Sequence, residues 1–535
     1  MTCPWCSYEN QPKAKFCGNC GQGLQFEIVC SFCSTPNPAE HRYCDTCGGA
    51  LDTSAEAPVS AGRPSATGLP GTPVAEALAA ARKYLQAAGL YNWETAALSA
   101  ITLFALLLRL VSLATIPPNM SADEADNLQV ILQIMADNGP GFFGIDWTQA
   151  PAFNLYLDSW FMEVFGESLV GLRMASVVLT TLSLPAFYFV ARQYDLDKTA
   201  SLGATLLLAT SLWYLHFSRN GWYNVNVALY AVLAVLAVTA AIRKGSLRLF
   251  AVTGLVAALG LYGYPSGRAI VVALIAYLPF ALVLHGENRK RLLIGYAIML
   301  LIAIALLLPH LSEVSDDWES YNTRVAATYI FNEQNRAQFG DKSGVLILAE
   351  QTWNNIRGFI LLDPGSSYVG INARYIPGGH GFLDRFTSIL LWIGMIVAAM
   401  RWRHTLLWWV FFIVMLFPTQ VLSNATPDGA RAIGTAPLFY LFVAMGMHWL
   451  FGLRFGEHWW FRSVAIVVLV AIVVLNISAY FDWMRQPEAA YARQPAVEVA
   501  DFEVWRDLQK AEAEAGQPGF NVGQWLEMKG QGKVP

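Results

Sequence analysis

The fold turns on one stretch, Thr95-Ala-Ala-Leu-Ser-Ala-Ile-Thr-Leu-Phe-Ala-Leu-Leu-Leu-Arg109-Leu-Val-Ser-Leu-Ala-Thr-Ile116-Pro-Pro-Asn-Met-Ser121-Ala-Asp123-Glu124-Ala-Asp126. An apolar run long enough to cross a bilayer is broken by two prolines and followed at once by acids. A run of about 20 apolar residues spans the hydrocarbon core. Runs of this kind recur down the chain, beginning near Leu169, Ser201, Val225, Phe250, Ala269, Leu292, Arg385, Leu406, Gly434 and Val464. The expectation is an all-α polytopic membrane protein of about eleven crossings. Composition agrees, with 14% of the 535 residues charged and 55% hydrophobic, too little charge for a soluble surface. A net charge of −4 and the absence of a long basic block argue against nucleic acid as a partner.

Sidedness follows from the cations. Residues 150–166 carry Asp158 and Glu163 and are short for a crossing, so they read as a helix lying at the interface. With that segment left out and the N-terminus inside, Arg192/Lys198, Arg243/Lys244/Arg248, Arg289/Lys290/Arg291, Arg401/Arg403 and Arg454/Arg462 all fall in cytoplasmic loops. The C-terminal tail then lies on the outer face of the plasma membrane, with the loops 117–166 and 312–384. Arg109, inside the first span, is costly in lipid and should pair within the bundle. The tail carries acids and bases at helical spacing from Val497 to Ala515 and reads as a helical cap without chemistry of its own.

Four segments result: 1–50, a linker and juxtamembrane helix over 51–92, the membrane domain 93–484 and the tail 485–535. No signal peptide opens the chain, so the first segment is expected in the reducing cytosol. Its cysteines fall in pairs. Cys3 and Cys6 are followed after ten residues by Cys17 and Cys20, and Cys30 and Cys33 after ten by Cys44 and Cys47. Each half offers four thiolates on two knuckles, the tetrahedral set of a closed structural Zn²⁺ site. The segment resembles a double zinc ribbon holding two zinc ions, with a role in folding and in docking a cytosolic partner.

Beyond the first span, Ser121 stands as N-cap of a helix whose first turn holds Asp123, Glu124 and Asp126. A carboxylate there is favoured by the positive helix end and can take a proton from a hydroxyl or anchor a divalent metal. Arg219, Arg268 and Arg431 each end a span on the outer side, where guanidinium groups suit phosphate oxygens. Arg324, in the long outer loop, is a fourth candidate. The order of these pieces is similar to the GT-C class of membrane glycosyltransferases. It runs through Gln149-Ala-Pro151, Phe165-Gly166, Val170-Gly-Leu-Arg173, Phe217-Ser-Arg219, Tyr262-Gly-Tyr264-Pro-Ser-Gly-Arg268 and Pro427-Asp-Gly-Ala-Arg431. The branch that it resembles contains dolichyl-phosphate-mannose protein mannosyltransferases and aminoarabinose transferases.

The resemblance implies inverting transfer of a hexosyl or pentosyl unit from a polyprenyl-phosphate lipid to a protein, lipid or polysaccharide acceptor at the outer face. Asp123 would be general base or metal anchor, and Glu124 its catalytic neighbour. Two departures stand out. Arg219-Asn-Gly-Trp-Tyr-Asn224 lacks the second acid that many members place there, which removes one ligand of a bridged metal. Gln149-Ala-Pro151 lacks the His or Lys that some members carry. Two other classes fit the composition: a transporter or flippase of lipid-linked precursors, which calls for paired midplane charges and related halves, and a non-catalytic scaffold docked through its zinc ribbon.

Overall fold

The computed structural model describes residues 92–534 apart from 316–317, 360–374, 378–379, 425, 454–457 and 487–495, together with two short strands nearer the N-terminus. The chain falls into two compact units, Met1–Lys83 and Tyr84–Pro535. In the first, β1 (Glu27–Val29) pairs antiparallel with β2 (Pro36–Pro38), Ile28 opposite Asn37. The eight cysteines and the juxtamembrane helix expected after residue 76 lie outside the described residues.

The second unit is built of helices. α1 (Trp93–Leu110) is capped by Asn92, whose side chain accepts from the Thr95 amide at 2.9 Å. A three-residue strand β3 (Asn119–Ser121) leads into α2 (Ala122–Met135). Then follow α3 (Phe153–Phe165), α4 (Leu169–Gln193), α5 (Lys198–Thr210), α6 (Leu212–Phe217), α7 (Asn226–Lys244), α8 (Leu247–Leu261), α9 (Arg268–Leu284) and α10 (Arg289–Val314). The long loop folds as α11 (Trp318–Thr328), α12 (Glu333–Ala337) and α13 (Gly344–Phe359). Next come α14 (Arg385–Met400), α15 (Trp402–Leu416), the four-residue α16 (Gly429–Ala432), α17 (Ala436–Phe451) and α18 (Trp459–Met484). The tail supplies β4 (Ala496–Glu498), α19 (Phe502–Glu514) and α20 (Val522–Gly530).

Eight helical stretches among the described residues are long and apolar enough to cross a membrane. This is the chain of a multi-pass membrane protein. Those eight correspond to eight of the eleven expected runs. Of the other three, α8 and α14 are apolar but shorter, and the run from Ser201 is not continuous. Ser211 (φ −53°, ψ 127°) ends α5 and its hydroxyl accepts from the Tyr214 amide to start α6. Within residues 150–166 the chain forms the 13-residue α3, which is not among the candidate crossings.

The bundle has an inside and a lipid-like outside. α4, α7 and α17 are buried nearly all round, whereas α1, α10 and α18 expose Leu103, Leu107, Leu301, Ile466 and Val467. Helices apolar on every face with half their surface open need an apolar solvent. At one end the polar segments gather. β3 pairs with β4, Tyr329 bridges Ser423, and Asn154 on α3 donates to the Tyr262 carbonyl at 2.7 Å. The loop 117–166, the turn before α9, helices α11–α13, the turn before α16 and the tail therefore share one end of the bundle.

Candidate functional site

Asp123 and Glu124 open α2 as expected, and Ser121 is the N-cap. Its hydroxyl accepts from the Glu124 amide at 3.3 Å while Glu124 Oε2 accepts from the Ser121 amide at 3.1 Å. This reciprocal pair satisfies two amides that the helix cannot. Glu124 is also fully buried. Its Oε1 accepts from Arg173 Nε at 3.1 Å and from the Gly221 amide at 2.7 Å. Both oxygens are thus committed to holding the loop. Expected as a catalytic neighbour, Glu124 instead has a structural job, because a carboxylate three residues after a Ser N-cap turns back on its own helix. Asp123, half-buried, is the acid of that turn not drawn into the capping pair.

Arg219 is placed differently from the expectation as well. The residue is fully buried, and Nη1 donates to the carbonyls of Leu108 (2.8 Å) and Arg109 (2.6 Å). Nη2 donates to Val111 (2.6 Å) and Ile116 (2.9 Å), and Nε to the Tyr480 hydroxyl (3.2 Å). Every N–H is spent on carbonyls at the C-terminus of α1 and in the loop that follows it and on one phenol, so no donor remains for a phosphate. Arg109 stays inside the bundle as expected, donating to Thr180 Oγ1 and the Ala105 and Ala209 carbonyls. No carboxylate pairs with it among the described residues; carbonyl dipoles and the ring of Tyr214 surround it.

Arg268 and Arg431 do come together. Both line a cavity of about 550 Å³ whose wall also includes Tyr264, Val272, Ile413 and Phe417. Arg268 begins α9 and stacks over the ring of Tyr321 on α11, 4.3 Å from its centroid, while its Nε and Nη2 are buried without a hydrogen-bond partner. Arg431 is set by the turn before α16. Asp428 caps that short helix through the amides of Ala430 (2.9 Å) and Arg431 (3.1 Å), and its Oδ2 lies 3.4 Å from Arg431 Nε. Gln420 fixes Asp428 in turn, accepting from its amide at 2.8 Å and donating to its carbonyl at 3.0 Å. Arg431 Nη1 then reaches Ser423 Oγ and the Asn424 carbonyl.

Asp123, Glu124 and Arg219 are not in this cavity's wall. A chain of contacts runs between the two places. Tyr264 in the wall packs edge-on to Trp222 at 5.9 Å, and the neighbouring Gly221 amide binds Glu124. The side chain of Arg324, on α11, lies outside the described residues. Among the described residues no three His, Cys, Asp or Glu side chains stand together as a metal site. Sequence reasoning missed Arg173, Gln420 and Asp428 as site-building residues. Ser121 and Glu124 at capping-box spacing were the available signal for the structural role of Glu124; its partner Arg173 and the other two are visible only in three dimensions.

Residues 149–312 match the family model for dolichyl-phosphate-mannose-protein mannosyltransferase, and residues 3–48 match that for the double zinc ribbon. Arg219 and Arg268 fall within the first match; Asp123, Arg324 and Arg431 fall outside it. Two curated relatives are undecaprenyl phosphate-alpha-4-amino-4-deoxy-L-arabinose arabinosyl transferases. That of Pseudomonas paraeruginosa is 32% identical over 176 residues, covering 32% of this chain and 31% of that protein. The first of two such enzymes in Pseudomonas fluorescens is 27% identical over 176 residues, with the same coverage of 32% and 31%. The chain therefore spans about a third of the length of the curated relatives it matches. Among solved structures, ArnT from Cupriavidus metallidurans bound to undecaprenyl phosphate is 14% identical with a TM-score of 0.48, covering 80% of this chain and 75% of that one. The Archaeoglobus fulgidus oligosaccharyltransferase tethered with an acceptor peptide is 16% identical with a TM-score of 0.49, covering 76% and 56%. Over these matched segments the chain is similar to the dolichyl-phosphate-mannose-protein mannosyltransferase family and to the double zinc ribbon, in agreement with the resemblance seen in its sequence.

Proposed function

We propose that this protein transfers a sugar, hexosyl or pentosyl, from a polyprenyl-phosphate carrier to an acceptor at the outer face of the plasma membrane, with inversion. The observation that carries the reading is the amphiphilic cavity. Two arginines, one with two unpartnered guanidinium nitrogens, face a wall otherwise rich in apolar side chains. A lipid phosphate has that same division between charge and hydrocarbon. The curated relatives, by their names, act with undecaprenyl phosphate, which supports a carrier of this class here.

Chemically, the acceptor hydroxyl gives its proton to the Asp123 carboxylate as its oxygen attacks the anomeric carbon. The bond from that carbon to the phosphate oxygen breaks, and its electron pair leaves with the phosphate. Arg268 and Arg431 offset the charge that grows there, an effect concentrated by the low dielectric of the bundle. Arg219 holds the end of α1 and the start of the loop that leads to Asp123. The eight cysteines, Cys3, Cys6, Cys17 and Cys20 with Cys30, Cys33, Cys44 and Cys47, would hold two structural zinc ions on the cytoplasmic side.

Asp123→Asn, brought to wild-type level in membranes, should lower transfer from a polyprenyl-phosphate sugar by about 10²- to 10⁴-fold, the usual worth of a general base. Arg268→Ala should cost about 10²- to 10³-fold in turnover. Wild-type turnover in Asp123→Asn removes that carboxylate from the mechanism, and wild-type turnover in Arg268→Ala removes the cavity.

A further inference from the structure

We infer that the C-terminal tail is a clamp on the loop that carries Asp123, with Val497 as its positioning residue; the inference rests on the functional reading above. The loop needs holding because of its own sequence. Pro117 and Pro118 have no amide hydrogens, so the segment from Leu113 to Asn119 cannot close its carbonyls in a regular turn. Two buried guanidinium groups take them from one side. Arg173 donates to the carbonyls of Leu113 (3.0 Å), Pro117 (3.2 Å) and Asn119 (3.3 Å), and Arg219 to that of Ile116 (2.9 Å).

The tail takes the other side. β4 pairs antiparallel with β3, Val497 opposite Met120 and Ala496 opposite Ser121, and the Val499 amide donates to the Pro118 carbonyl at 3.3 Å. Val497 and Met120 are both fully buried. Ser121 is the N-cap of α2 and Asp123 sits two residues on, so the strand register sets where that carboxylate begins its helix. One residue of slip in a strand would turn each side chain to the opposite face.

The tail also has a firm seat of its own. Trp505 and Trp525 are fully buried, with the ring of Phe520 packed at 6.0 and 6.2 Å from theirs. Lys510 Nζ bonds both oxygens of Glu167 at 2.9 and 2.8 Å. The last turn of α2 and the turn after it are tied to the tail as well, through Gln133 to the Pro518 carbonyl (3.1 Å) and Asn138 to that of Ala513 (2.8 Å). A short two-stranded ribbon is marginal by itself, and this one is held by helix packing on both sides. The strand is therefore a register pin for the acid, in a segment that reads from sequence as an inert helical cap.

The test uses full-length Val497→Asp beside Val497→Ile. In Val497→Asp, hydrogen exchange over residues 119–126 should rise about tenfold or more, with α14 and α17 unchanged. Its kcat should fall about tenfold while KM for the polyprenyl-phosphate sugar stays within about twofold, because a displaced group costs rate without touching the donor cavity. Val497→Ile should restore both. If Val497→Asp does not accumulate, Val497→Ala should show the same changes at smaller size. Unchanged exchange over 119–126 overturns the clamp, and so does raised exchange with wild-type kcat. If the wild-type chain transfers no sugar from any such donor, the functional reading falls, and the exchange measurement still decides whether the tail holds the loop.

Discussion

Single residues in this protein are sorted by what their polar atoms can reach. Glu124 and Arg173 are both fully buried and satisfy one another, the N-cap amide, the Gly221 amide and three carbonyls. Removing one member of such a pair strands the other in low dielectric and commonly costs about 3–5 kcal/mol. Asp158 on α3 is the opposite case. It is buried, no donor or cation reaches it among the described residues, and burial alone pushes its carboxyl well above the usual range. A carboxyl raised in the fold contributes stability that is present below its unfolded value, about 3.9, and is lost as pH rises through its folded value. Asp158→Asn should therefore melt higher than wild type at neutral pH, with the gap closing toward about pH 4. Thermal melts across that range read it directly; a gap that widens on acidification would show Asp158 to be ionised and paired. The sequence displays Asp158 as an acid in an amphipathic stretch. Its lack of a partner is a property of the packed bundle, where the nearby Tyr230 hydroxyl donates to Asn154 instead.

Between elements, the tightest approach is that of α14 and α17. A Cβ on Gly394 would lie 1.7 Å from the Phe442 carbonyl oxygen, and one on Gly446 would lie 2.2 Å from that of Leu390. Backbone meets backbone there, the small-residue packing by which helices associate in lipid. Gly394→Ala should lower the melting temperature, because overpacking there costs about 1–3 kcal/mol of stability. Gly452→Ala, where the nearest atoms are at 3.5 Å, is the control. Equal melting of the two would mean that α14 and α17 do not meet at this glycine. Helix existence was legible here from apolar run length, and so was the capped start of α2 from Ser121. The break at Ser211 was not, because Leu-Ala-Thr-Ser-Leu-Trp is apolar enough to read through. Nor was β4, since Val497 sits at helical spacing from the charges after it and becomes strand only by pairing with Met120.

At the scale of the whole chain, one end of the bundle collects the acid loop, the arginine cavity and the tail, while the cysteines lie in a separate unit. The purified protein should carry about two zinc ions per chain, released by a thiol-modifying reagent, as two four-thiolate sites require. A content near zero in metal-replete preparations would refute the pairing of Cys3, Cys6, Cys17 and Cys20 with one ion and the later four with another. By itself the sequence determined the membrane class, the cysteine pattern, the short helix within residues 150–166 and the helix start beneath Asp123, because each depends on local periodicity, spacing or capping. Only the tertiary structure decided that Arg268 and Arg431 share a cavity, that Arg219 and Glu124 serve the scaffold, and that the tail reaches back to β3. A guanidinium ends on whichever carbonyls or cavities the packed helices leave open, and that choice is made mostly between residues far apart in the chain, 49 positions for Glu124 and Arg173 and 103 for Arg219 and Ile116.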